Sequence, residues 1–246
     1  MTATQSGRCR VCGVEGDGER LRIREMMFGW RDAFDYHACA SCGSLSIVAV
    51  PDDRSRFYPP DYYANRARME IEQDPLWRRS AIRRLVGLQL FGRRTPLDGL
   101  AARLAEIPSE LEVVEPFIKG GALTSFDDAI LDVGCGAMPT RLAILRKLGF
   151  RRLLGIEPYI AADTTFQGVP VRRGELATVP GRFRLVMFHH SFEHVLDPLE
   201  TLHQVRERLR PGGRLLIRTP IVGGHFWREY GTDWVELDAP RHIIVA

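Results

Sequence analysis

The chain is almost without lysine. Lys119 and Lys147 are its only two, so its cationic charge rests on arginine. The formal net charge is only +3 over 246 residues. That balance is too mild to demand a nucleic-acid partner, and the basic stretches 8–31 and 78–94 read as solvated faces. No apolar run approaches the roughly 20 residues of a membrane-spanning helix, and the N-terminus lacks the apolar centre of a signal peptide. The expectation is a soluble, cytoplasmic protein with no membrane span. Internal repeats and low-complexity stretches are absent as well. What is present is 45% hydrophobic content, enough for one good core and a small appended module.

Cysteine is scarce, but four of the five cysteines fall into two pairs, Cys9/Cys12 and Cys39/Cys42. Each pair is a Cys-x-x-Cys knuckle followed by glycine, Gly13 and Gly43. Two such knuckles match a four-thiolate tetrahedral zinc site. A glycine after each supplies the positive φ that the knuckle turn needs. A pair of redox dithiols is the competing reading. Cys135 stands apart and reads as a small packed thiol rather than a nucleophile.

The most informative stretch is Ile130 to Gly136, Ile-Leu-Asp-Val-Gly-Cys-Gly, followed later by Gly155-Ile156-Glu157. An apolar strand enters a glycine loop, Pro139 opens a helix, and a second apolar strand ends in a carboxylate. Gly134 and Gly136 let backbone N–H groups approach a ligand, and the helix start favours negative charge. Glu157 is placed to accept hydrogen bonds from a ribose diol. A nicotinamide site fits poorly, because Ala137, Met138 and Pro139 stand where a third small residue is wanted. Asp132 would repel a pyrophosphate but suits an ammonium group. A tight strand-to-helix turn without a ligand is the bland alternative.

This stretch resembles motif I of the class I S-adenosylmethionine-dependent methyltransferases. Two later segments extend the resemblance over residues 129–220: Glu193-His194 after a fourth strand, and Leu209-Arg210-Pro211-Gly212-Gly213 before a fifth. The resemblance implies an α/β fold, a Rossmann-like, mostly parallel sheet flanked by helices, with an N-terminal zinc ribbon. Strands are expected at 130–133, 153–156, 169–172, 184–188 and 214–218, and helices at 140–148 and 199–209. In the ribbon, strands are expected at 20–27, 36–38 and 45–50. Helical periodicity over 65–120 places Ile82, Leu85, Val86 and Leu90 on one face, and Leu100, Leu104 and Ile107 on another. The domains expected are a zinc ribbon over 1–52, a helical linker region over 53–121 and an S-adenosylmethionine-binding domain over 122–246. The family's C-terminal strands are missing from this expectation, which leaves the fifth strand at an open edge and invites self-association.

The resemblance implies site roles. Asp132, Gly134, Cys135, Gly136, Glu157 and His189 fall on the cofactor side, and Glu175-Leu176 at the adenine edge, where a surface turn is the competing reading. His190, Glu193 and His194 are candidate catalytic residues, because ligands in such sheets bind beyond the C-terminal strand ends. A histidine there suits general-base work. A purely structural Glu193-His194 pair remains open. The stretch Trp234 to His242 and the aromatic segment 57–63 resemble zinc-ribbon methyltransferases that act on nucleotide sugars, of the sugar C-methyltransferase type. A small-molecule acceptor is therefore expected, a nucleotide sugar or a glycan or secondary-metabolite precursor. The alternatives are a zinc-ribbon RNA methyltransferase and a degenerate, non-catalytic cofactor- or partner-binding protein.

Overall fold

The computed structural model describes residues 4–59, 74–92, 94–106 and 123–246. Ile107, the Gly120-Gly121 joint and residues 60–63 of the aromatic segment lie outside them. The chain forms two compact units. One comprises residues 1–63, 189–204 and 217–246, and the other residues 64–188 and 205–216.

The first unit is organised by an antiparallel sheet. Its strands are β1 (Thr4–Arg8), β2 (Glu15–Arg24), β3 (Ala33–Cys39) and β4 (Leu45–Ile47). A short β11 (Ile244–Val245) from the C-terminal tail completes it, in the order β1-β2-β3-β4-β11. β2 starts and ends earlier than the apolar pattern of 20–27 suggests. Its end is set by Glu25, whose buried carboxylate accepts the N–H groups of Phe28 at 2.9 Å and Trp30 at 3.0 Å and so folds the chain into a turn. On the outer face, Asp35 of β3 pairs with Arg20 at 2.6 Å and Arg22 at 3.3 Å. The tail is held from two sides. Ile47 N–H donates to Ile243 O and Ile243 N–H donates to Glu193 O. Ile243, Ile244 and Val245 are all buried.

The second unit is built on a six-stranded sheet. Its strands are β5 (Ala129–Val133), β6 (Arg152–Glu157), β7 (Thr164–Phe166), β8 (Val169–Arg173), β9 (Phe183–His189) and β10 (Leu209–Arg218). The order is β10-β9-β5-β6-β8-β7. β5 runs parallel to β6 and β9, and β6 parallel to β8. The sequence reading has no β7. It pairs antiparallel with β8 through Gln167-Gly168, both at positive φ, which make the tight hairpin turn. β10 begins at Leu209, so the Leu-Arg-Pro-Gly-Gly segment is strand from its start rather than a turn. Gly213 permits this, since a Cβ there would stand 2.8 Å from Arg210 O and 3.0 Å from Phe183 O. Arg210 pairs with Asp128 at the foot of β5, and Asp128 also accepts the N–H groups of Thr124 and Ser125.

Three helices pack on one core: α1 (Leu76–Phe91), α2 (Asp98–Leu104) and α3 (Thr140–Lys147). The expected face of α1 is correct: Ile82, Leu85 and Val86 are buried and Leu90 packs on the core. The expected face of α2 is not. Leu100 is 53% and Leu104 45% exposed, while Ala101 and Ala105 are buried. The small alanines allow a closer approach to the core, so the larger side chains turn outward. Helix α4 (Pro198–Arg208) follows β9, and a short α5 (His225–Tyr230) lies in the tail. The strand order reverses at β5, with β6 and β8 added on one side and β9 and β10 on the other. That makes the C-terminal end of β5 the switch point at which such sheets bind ligands.

Candidate functional site

At this switch point Asp132 is 4% exposed, and its Oδ1 has no hydrogen-bond partner. Burial pushes its carboxyl up to about 7, against the pull of Arg141 and with a further push from Glu157. A buried carboxyl with an unpartnered oxygen at the switch point of such a sheet is suited to a cationic group. Gly134 and Gly136 both hold positive φ, as a glycine loop requires. The loop N–H groups, expected to face a ligand, are turned back onto β6. Gly134 and Cys135 donate to Ile156 O at 2.9 and 3.2 Å, and Gly136 donates to Glu157 Oε2 at 3.0 Å. The other Glu157 oxygen accepts the Tyr159 N–H at 3.1 Å. Glu157 therefore fixes the loop and keeps a second lone pair on each oxygen for a ligand. Cys135 packs against Gly155, where a Cβ would stand 2.5 Å from its sulfur. Burial pushes the Cys135 thiol well above its ordinary range, so it is no nucleophile. Glu175 is exposed and precedes the short turn Leu176–Thr178, in which Leu176 is buried, and its carbonyl accepts the Thr178 N–H at 3.0 Å. Gly174 N–H reaches Glu157 O at 3.4 Å and brings this turn beside the end of β6.

In the first unit His189, His190, Glu193 and His194 form one cluster with the tail. His190 adopts φ +53 and donates its N–H to Arg218 O, while Arg218 Nη1 lies 3.1 Å from His189 Nε2. Glu193 is wholly buried, and His190 Nδ1 stands 3.4 Å from its Oε1. His194 Nδ1 meets Arg241 O at 2.9 Å and the Tyr58 hydroxyl at 3.4 Å. The sequence reading assigned no role to Asp238, Arg241 or His242, although it singled out the stretch that holds them. Arg241 is fully buried between Glu25 and Asp238, donates to Phe57 O, and stacks over Phe28 at 5.0 Å. His242 Nε2 lies 3.9 Å from Glu193 Oε1, and burial pushes its imidazole down to about 3, leaving it neutral.

The four paired cysteines converge. Cys9 Sγ lies 3.8 Å from Cys42 Sγ, and Cys12 Sγ 3.8 Å from Cys39 Sγ. Zinc–sulfur bonds of about 2.3 Å in a tetrahedron require sulfur–sulfur edges of about 3.8 Å, so the set fits that ion. The knuckles share one hydrogen-bond pattern: Gly13 N–H donates to Cys9 O and Gly43 N–H to Cys39 O, each at 2.9 Å. Cys9 Sγ accepts the N–H groups of Val11 and Cys12, and the Ser44 hydroxyl sits 3.0 Å from Cys42 Sγ.

The sequence profile of the family described as "Methyltransferase domain" matches residues 89–245. The chain belongs to that family. Among methyltransferase-domain relatives and other similar chains, an uncharacterized 37.1 kDa protein in transposon TN4556 of Streptomyces fradiae is 26% identical over 219 residues, 76% of this chain and 62% of that one. A ubiquinone biosynthesis O-methyltransferase of Cereibacter sphaeroides is 28% identical over 145 residues, 46% of this chain and 56% of that one. The chain thus spans about three fifths of the length of these curated relatives. A crystal structure of an S-adenosylmethionine-dependent methyltransferase from Mesorhizobium loti is 21% identical with a TM-score of 0.35, covering 46% of this chain and 55% of that one. The methyltransferase-domain match contains both carboxylates of the glycine-loop site and the whole His-Glu-tail string from His189 to His242; the four knuckle cysteines lie before it.

Proposed function

We propose that the chain transfers a methyl group from S-adenosylmethionine to a small-molecule acceptor, with a nucleotide sugar or a glycan or secondary-metabolite precursor as the favoured class. One observation carries the reading: within a methyltransferase-family domain, the orphaned buried carboxyl of Asp132 stands at the switch point beside the strand-end carboxylate of Glu157. Asp132 suits the cofactor's ammonium and Glu157 its ribose diol. Glu175 and Leu176 suit the adenine edge, Gly134 and Gly136 offer a ligand no Cβ on either side of Cys135, and His189 is a further candidate on the cofactor side. When bound, the cofactor supplies a methyl group already activated by its sulfonium charge.

The chain's own work is to hold an acceptor in line and to take its proton. His190 suits the proton acceptor: its side chain is 37% exposed, and the buried Glu193 carboxylate beside it would stabilise the imidazolium that forms. His194 positions the group through its bond to Arg241 O. The likeness to a ubiquinone biosynthesis O-methyltransferase is compatible with a hydroxyl acceptor. Cys9, Cys12, Cys39 and Cys42 would hold one structural zinc ion.

Calorimetry with S-adenosylmethionine tests the reading. Glu157→Ala removes charge-assisted hydrogen bonds worth about 1.5–3 kcal/mol each, so affinity should fall at least tenfold. A wild-type chain that takes up no cofactor, or a variant with an unchanged titration curve, would overturn it.

A further inference from the structure

We infer that Glu193, His194 and His242 form a second metal site, distinct from the cysteine knuckles, for a divalent first-row transition ion. One ligand atom from each of the three lies within 4.8 Å of the others. Bonds of about 2.1 Å place neighbouring ligand atoms about 3–4 Å apart, so closing on an ion takes a shift smaller than a rotamer change. Two imidazoles and one carboxylate suit Mn²⁺, Fe²⁺, Co²⁺ or Zn²⁺ better than a hard alkaline-earth ion.

A second observation points to a ligand. Glu193 is 0% exposed, and neither carboxylate oxygen has a hydrogen-bond partner; nor has the buried Nδ1 of His242. His190 Nδ1 stands 3.4 Å and His242 Nε2 3.9 Å from Glu193 Oε1. A buried carboxylate left in this state is costly unless something neutralises it. The buried guanidinium of Arg241 does not. Glu25 and Asp238 share that guanidinium, which leaves Glu193 as a third buried carboxylate of this unit, with the imidazoles of His190 and His242 beside it.

The surroundings have the form of a metal shell. His194 Nδ1 is tied to Arg241 O at 2.9 Å, so Nε2 is the nitrogen that remains to bind an ion, and a carbonyl fixes the ring. Asp238 Oδ2 stands 3.8 Å from His242 Nε2, an outer partner or a fourth ligand. The His242 carbonyl is held by the Tyr36 hydroxyl at 2.6 Å. Three ligands leave positions open. On the methyltransferase reading, on which this last step rests, an acceptor hydroxyl takes one of them and loses its proton more readily to His190.

The probe is Mn²⁺, a poor match for four thiolates, titrated into the whole chain holding its one zinc. Electron paramagnetic resonance of the free aquo ion should show one further equivalent bound. Glu193→Gln and His242→Gln should each weaken uptake at least tenfold, with zinc content unchanged and the chain still folded. Should a variant fail to fold, spin-echo modulation from imidazole ¹⁴N on Mn²⁺ bound to the wild-type chain decides instead. No uptake, uptake indifferent to both substitutions, or an ion without imidazole nitrogen would overturn the assignment. All these readings are independent of methyl transfer, so a chain that binds Mn²⁺ but not S-adenosylmethionine fails only the functional reading.

Discussion

Asp132→Asn should move stability and cofactor affinity in opposite directions. Burial raises the Asp132 carboxyl from 3.8 to about 7, opposed by Arg141 and reinforced by Glu157, with the neutral Cys135 thiol nearby. The folded chain therefore holds this proton in a range where the unfolded chain has lost it. By linkage, stability falls as pH rises from about 4 to about 7, and the full cost is present above that. A shift of roughly three units at about 1.4 kcal/mol each sets a ceiling of about 4 kcal/mol. An uncharged isostere escapes that cost. Asp132→Asn should therefore melt higher than the wild type at pH 8, by an amount that shrinks toward pH 5.

The same carboxyl predicts how the cofactor binds. An ammonium group needs the ionised form, so binding below pH 7 must expel the proton. With a folded-state value of about 7, the ionised fraction gives a rise in affinity of about eightfold between pH 6 and pH 7.5. Calorimetry at both pH values, in buffers of different ionisation heat, measures the slope and the released proton together. Asp132→Asn should bind weakly at both and release no proton. An affinity independent of pH in the wild type, or the same slope in the variant, would refute the reasoning. So would a variant that melts no higher at pH 8.

Three further outcomes are expected. Metal analysis should find zinc held by the four knuckle sulfurs and lost on Cys39→Ser; a zinc-free chain with a disulfide between knuckle cysteines would contradict this. Arg241→Ala leaves Glu25 and Asp238 buried without their cation and should cost about 3–5 kcal/mol, whereas Arg241→Met combined with Glu25→Gln and Asp238→Asn should recover most of it in a denaturant titration. Gly155→Ala drives a Cβ to 2.5 Å from Cys135 Sγ and should cost about 1–3 kcal/mol; Cys135→Ala in the same chain should relieve that strain, and additive losses in the double variant would show that the contact is not the cause.

The glycine loop and the strands beside it were legible because their determinants are local. An apolar run that ends in Asp-Val-Gly-Cys-Gly needs only its own residues to form β5 and turn back, and β5 and β6 begin and end within one residue of the expected bounds. What the pattern could not give is where the loop N–H groups go. That depends on Ile156 O and the Glu157 carboxylate, which meet them across the sheet. α2 fails for another reason: the spacing marks two helix faces, and the small Ala101 rather than the larger leucines meets the core. Strand β7 is mostly exposed and three residues long, so it carries no apolar signal of its own.

The tail was the least legible part, and the reason is distance along the chain. Asp-Ala-Pro-Arg-His reads locally as a polar turn. Its burial depends on partners far away in sequence: Arg241 reaches Glu25 across 216 residues, Phe57 O across 184, and His194 across 47. Each partner also looks ordinary by itself. Glu25 reads as one more acid beside basic residues, and Glu193-His194 as a motif. Only the assembled unit shows that one guanidinium serves two carboxylates while the third is left with imidazoles. A buried charge is costly unless it is matched, so an arrangement that leaves Glu193 unmatched has a physical need which no local pattern expresses. That need, rather than the family motif, is what directs attention to His242.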